Sequence, residues 1–350
     1  MTDAASRAAG VLYGLAIGDA LGMPTESLPR AQIVASYGPL LRGFEPARPG
    51  HPLAAGMPAG AVTDDTEQAV LLARLIIERD GRVDATEFAR RLLAWEESMR
   101  ARGSLDLLGP STRAAIGALL GGANIDQAGR SGVTNGAAMR IAPVGVAAPA
   151  ADLDGLVDRV VEASRATHNT SVALAGAAAV AAAVSAGIDG AAVPDASRLG
   201  VAAAQRAVRR GRWVAAADVA ARITWATGLA TELARRPGEL DACAVIDTVY
   251  TLVGTSLATQ ESVPAAFAVL AASPDDPWLA CRIAASLGGD CDTIAAMAGA
   301  IGGACHGLAG FPEGARATIA EVNDLHLDRL AADLLAVRHA ADATGRRPAS

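Results

Sequence analysis

The chain has no lysine; all thirty of its basic residues are arginine. That absence removes whole mechanisms: a lysine Schiff base, a P-loop lysine on a nucleotide phosphate, and a kinase strand lysine. Basic charge is also outweighed. The net charge is -7 and the pI near 5.3, which argues against the basic face of a general nucleic-acid binder. The four cysteines, Cys243, Cys281, Cys291 and Cys305, form no CxxC pair. Cys305-His306 is a lone neighbouring pair rather than a zinc spacing. They read as reduced, packed thiols of a cytoplasmic protein. The N-terminal stretch MTDAASRAAG has no basic region followed by an apolar core, so no signal peptide is predicted. There is no HExxH, GxSxG or Walker motif and no fixed-period repeat. Alternating β-type runs are nearly missing as well.

Long stretches rich in Ala, Leu and Arg are present instead, and these are strong helix formers. Apolar side chains recur on one face at 67–79, 84–100, 153–166, 214–234, 241–256 and 276–287, and each segment is predicted helical. Hydrophobic residues make up 51% of the 350 and charged residues 19%, enough for a sizeable core. The pattern predicts one compact all-α domain of about ten or more helices. It spans 1–340, with 341–350 as a frayed tail. The uncharged Ala/Val/Gly run between His168 and Asp189 is long enough to cross a bilayer. Alanine is only weakly apolar, however, so a central buried helix is the expectation and no membrane partner is predicted. The proline-rich stretch 22–63 is the longest irregular segment, a lid or flap on one reading and a variable surface loop on the other.

Two clusters could carry chemistry. Thr63-Asp64-Asp65-Thr66-Glu67 precedes a helix, where Asp64 and Glu67 have capping-box spacing. Gly288-Gly289-Asp290-Cys291-Asp292-Thr293 turns on glycines just before a small, apolar helix expected at 293–308. Either alone reads as a helix cap. Together they offer four aspartate carboxylates with threonine hydroxyls beside them, an excess of negative charge that is costly to bury unpaired. A pair of Mg2+ or Mn2+ ions would neutralise it, and the oxygen-only set disfavours zinc and copper.

Three weaker features surround these clusters. Glycines 14, 18 and 22 permit close helix packing or a backbone approach to a ligand. Asp19 among them needs a partner and reads as a support rather than a direct ligand. Glu26 heads the proline-rich stretch as a mobile carboxylate. Thr134-Asn135-Gly136-Ala137-Ala138-Met139-Arg140 is either a phosphate-presenting loop or an ordinary turn. Thr167-His168 adds a lone histidine.

Taken in order, GLAIGDALGMPTE at 14–26, TDDT at 63–66, NGAAMRIAPVG at 135–145, TH at 167–168 and GGDCDTIAAMAGAIGGACHG at 288–307 resemble the ADP-ribosylglycohydrolase family of the dinitrogenase-reductase-activating type. The resemblance implies a multi-helix orthogonal bundle with two Mg2+ or Mn2+ ions. The matching ligands are Thr63, Asp64, Asp65, Asp290, Asp292 and Thr293, with Asp292 expected to bridge. It implies catalytic roles for Glu26, Asp292 and Asp64. It also implies a substrate cleft lined by Asn135, Gly136, Ala137, Ala138, Met139 and His168. The implied reaction is hydrolysis of the N- or O-glycosidic bond at ribose C1′ of an ADP-ribosylated protein or small ribosylated substrate. N-ribosyl hydrolysis of small nucleosides and a non-catalytic metal-binding relative are the alternatives.

Overall fold

A computed structural model describes residues 3–105, 108–236, 238 and 240–345. Eighteen α-helices and no strand occur among the described residues, which is the fold class read from the sequence.

Sequence-readable caps set several helix boundaries. The helix expected at 214–234 begins at Val219, because the Asp218 side chain accepts from Ala221 N at 2.8 Å and stops the chain from continuing upstream. Asp84 accepts from the N–H groups of Thr86 and Glu87 and starts Ala85–Ala101. The segment expected at 241–256 divides into Ala242–Thr248 and a π-helical turn, Val249–Val253. The proline-rich stretch contains an unexpected helix, Arg30–Tyr37, entered from Pro29.

Two helices make the central seam. Ala4–Gly22 runs antiparallel to Cys291–His306, with Gly10 against Gly303, Gly14 against Gly299, Gly18 against Ala295 and Gly22 against Asp292. A Cβ on Gly18 would lie 2.0 Å from the Ala295 carbonyl oxygen, so only hydrogen fits there. The glycines therefore serve backbone-to-backbone packing. The last contact of the seam places Asp292 beside the end of the first helix. Arg7 NH1 donates to the carbonyls of Gly187, Ala304 and Cys305, meeting acceptors that two helix C-termini leave over.

The apolar run before Asp189 forms Ser171–Ile188, and all eighteen residues are buried inside the protein. It is a core helix packed on Val193–Ala207 and on the central seam. The last helix, Leu327–Gly345, continues into the stretch expected to fray; residues 346–350 lie outside the described residues.

Candidate metal centre

Both acidic clusters sit at helix starts, and neither is used merely as a cap. Thr63, rather than Asp64, is the N-cap of Asp64–Glu78, its hydroxyl accepting from Asp65 N. The capping-box partner of Asp64 is also engaged elsewhere, since Glu67 accepts from the Trp95 indole N–H. Asp290 occupies the N-cap position of Cys291–His306, yet its side chain makes no capping bond. It accepts instead from Asn135 Nδ2, which also reaches Ser262 Oγ at 2.9 Å.

The turn that presents Asp290 is built on positive φ angles of 96° at Gly288 and 70° at Gly289. Gly289 N donates to the Leu28 carbonyl at 3.0 Å, and Ser27 N to the Gly289 carbonyl at 2.7 Å. These bonds tie the turn to the segment carrying Glu26. As a result Glu26, Asp290 and Asp292 each offer a carboxylate oxygen within 4.8 Å of the others. From the other cluster, Asp65 Oδ2 accepts from Thr293 Oγ1 at 3.2 Å, so the two clusters meet.

Burial at this junction is nearly complete. Thr63, Asp65, Asp290, Asp292 and Thr293 are buried, while Asp64 and Glu26 are half-buried. Asp65 Oδ1 and Asp292 Oδ1 are fully enclosed yet accept no hydrogen bond. Burial, followed by repulsion from Asp292, pushes the Asp65 carboxyl well above the usual range. Burial and then Asp290 do the same to Asp292. Burial, Asp19 and Asp290 raise Asp64 to about 8, and burial raises Asp290 to about 6.

Converging acids that repel one another, with two orphaned oxygens, suit a hard divalent cation. Such an ion would bind those oxygens and offset the repulsion. Hydroxyl and carboxylate donors without sulfur or imidazole fit Mg2+ or Mn2+.

Asp19 is different. It is wholly buried but accepts from Thr63 N, Thr66 N and Thr66 Oγ1. It anchors the start of Asp64–Glu78 to the first helix and points its oxygens at N–H groups, in keeping with the supporting role expected of it.

Asn135 is brought to the cluster, and Gly136–Met139 follows it as a single buried helical turn. His168 lies beneath that turn, fully buried, with a Cβ on Gly136 landing 2.9 Å from its Cε1. Burial and then Arg140 hold its pKa well below the ordinary histidine value, so it is uncharged. The proline-rich stretch packs on Met23 through a small apolar cluster of Ala47, Ala54, Met57 and Ala61.

Sequence reasoning missed the partners of Asp64. Its Oδ2 accepts from Gln68 Nε2 at 2.6 Å, and Gln68 Oε1 accepts from Arg140 NH1 at 2.6 Å. Two signals were available: Gln68 stands four residues beyond Asp64, on the same helix face, and Arg140 is embedded in the apolar run Ala137–Ala142.

Residues 1–344 match the sequence profile of the ADP-ribosylglycohydrolase family. YegU of Escherichia coli (strain K12), described as uncharacterized, is 36% identical over 340 residues, covering 96% of this chain and 98% of YegU. The ADP-ribosylarginine hydrolase Tri1 of Serratia proteamaculans (strain 568) is 36% identical over 94 residues, 27% of this chain and 22% of Tri1. A solved ADP-ribosylglycohydrolase-related protein complex superposes with a TM-score of 0.66 at 24% identity, covering 97% of this chain and 100% of that one, a likeness of fold.

Proposed function

Because the chain belongs to the ADP-ribosylglycohydrolase family over residues 1–344 and is a glycosidic hydrolase, we propose that it uses two Mg2+ or Mn2+ ions to hydrolyse the N- or O-glycosidic bond at ribose C1′ of ADP-ribosylated proteins or ADP-ribose derivatives. The observation that carries this reading is the pair of enclosed, unpartnered oxygens, Asp65 Oδ1 and Asp292 Oδ1, where the two acidic clusters meet. Thr63, Asp64, Asp65, Asp290, Asp292 and Thr293 would hold the ions. Bound there, the ions would supply Lewis acidity to the ribose hydroxyls and to a water.

The chain's own groups do the rest. Asn135 fixes the orientation of Asp290 by donating to Oδ2. Glu26 is half-buried and within reach of Asp290 and Asp292, which suits a carboxylate that exchanges a proton with water or the leaving atom. The turn Asn135–Met139 lines the substrate side, with His168 as the prop beneath it. Four free thiols suit a reducing, cytoplasmic setting.

The test is incubation of purified protein and Mg2+ or Mn2+ with ADP-ribosylated Arg and Ser peptides, read by mass spectrometry of released ADP-ribose. Metal-dependent release, abolished by EDTA and by Asp292→Ala, is expected and identifies the linkage. Metal binding without release from either peptide would overturn the protein-substrate reading in favour of a small riboside. No metal binding would overturn the reading altogether.

A further inference from the structure

Arg140 has no role in the function above, yet it is among the largest wholly buried side chains, 1% exposed and without a salt bridge to any described acid. Its guanidinium lies over the Phe88 ring, 5.2 Å from the centroid. A buried cation needs its hydrogen bonds directed. One arm donates to Gln68 Oε1 and the other, NH2, to Thr167 Oγ1, each at 2.6 Å.

The consequences follow from donor and acceptor inventory. A guanidinium only donates, so it forces each partner to accept. Gln68 must then turn its amide nitrogen outward, and that nitrogen meets Asp64 Oδ2. Thr167 Oγ1, having accepted from Arg140, has one proton to place. His168 Nδ1 lies 2.8 Å from it and the Ser164 carbonyl 3.5 Å, at the limit of a hydrogen bond, so the histidine is the better-placed acceptor of that proton. With that proton given to His168 Nδ1, the ring's own proton sits on Nε2, which then donates to Thr134 Oγ1 at 3.0 Å. Thr134 then keeps its own proton for another acceptor. It is half-buried and directly precedes Asn135, which touches Asp290.

We propose that Arg140 is a positioning residue that polarises two hydrogen-bonded chains at once. One chain, through Gln68, holds Asp64 in place. The other, through Thr167, fixes His168 as the Nε2–H tautomer and leaves the Thr134 hydroxyl as a donor at the cleft. The Asp64 arm rests on the metal-site reading above, and the His168 arm does not depend on it.

The experiment is long-range 1H–15N correlation NMR of full-length protein labelled with 15N-histidine. The chain has five histidines, and the His168 signals are assigned by their loss in His168→Gln. The wild type is expected to show a single neutral Nε2–H pattern. Arg140→Met and Thr167→Val should each lose that single pattern, giving Nδ1–H or a mixture, while Thr167→Ser restores it. Thr167→Val carries the test if Arg140→Met fails to fold. An Nδ1–H pattern in the wild type, or an unchanged pattern in both folded variants, overturns the proposal. In parallel, Mn2+ titration read by electron paramagnetic resonance should show roughly tenfold weaker binding for Gln68→Leu, in the range for groups that orient metal ligands. Unchanged affinity overturns the Asp64 arm. A wild type that binds no Mn2+ but shows the Nε2–H pattern would instead sink the metal-site reading and leave the His168 arm standing.

Discussion

Asp19 and Asp65 are buried carboxylates linked through Thr63, yet they are treated in opposite ways. Asp19 accepts from two backbone N–H groups and a hydroxyl, all from the start of Asp64–Glu78. Asp65 accepts only threonine hydroxyls on one oxygen, and its other oxygen has nothing, as is also true of Asp292. Burial raises both kinds of acid, but hydrogen bonds oppose the shift at Asp19, which reaches about 6. At Asp65 the neighbouring acids add to it. Burial alone therefore does not mark a functional acid. The mark is a buried acid whose surroundings supply repulsion instead of donors. Asp19 holds the fold, and Asp65 with Asp292 fits the proposed cation site.

That contrast can be broken in graded steps. Asp292→Ala should lower metal-dependent turnover by about a thousandfold, because several kcal/mol of charge stabilisation depends on the metal site; initial-rate assays at saturating Mg2+ read it. Asp19→Ala should act on stability first, costing roughly 3 kcal/mol by stranding buried N–H groups, measured by urea unfolding. An Asp19→Ala protein as stable as wild type would erase the distinction. Gly18→Ala tests the seam that brings Asp292 to the site. Its new Cβ collides with the Ala295 carbonyl, and the expected loss is about 2 kcal/mol. Asp65→Asn should have the opposite sign, raising metal-free stability by roughly 1 kcal/mol through relief of buried repulsion while abolishing metal binding.

The remaining effect is a slope with pH. Asp64, Asp290 and Asp19 bind their protons more tightly folded than unfolded. In the metal-free protein their contribution to stability is therefore fully present below the ordinary carboxylate range, and is lost as pH rises through about 6 and then about 8. Thermal melts across this range in EDTA should show the decline, and saturating Mg2+ should flatten it.

Much of this arrangement was legible along the chain. Apolar periodicity located the helices, because a core-facing stripe is a local signal. Two acid clusters, each at a helix start, drew attention because a cap needs one acid and each has more. Other parts were hidden for a physical reason. Arg140, Gln68 and Thr167 are separated by 72 and 27 positions and meet only through tertiary packing. The partners of Asp19 were hidden likewise, 44 and 47 residues away. Gly14, Gly18 and Gly22 announced a close approach but not its partner, which lies near the other end of the chain. The helix Arg30–Tyr37 was masked by flanking prolines, which bound a helix as readily as they exclude one.

The most direct test of the central claim is anomalous diffraction at the manganese edge from crystals grown with Mn2+. The account predicts two peaks bounded by Asp65, Asp290 and Asp292, with Asp65 Oδ1 and Asp292 Oδ1 among the ligand atoms and none at Asp19. Absence of density at those oxygens, or an ion held by Asp19 instead, would contradict it.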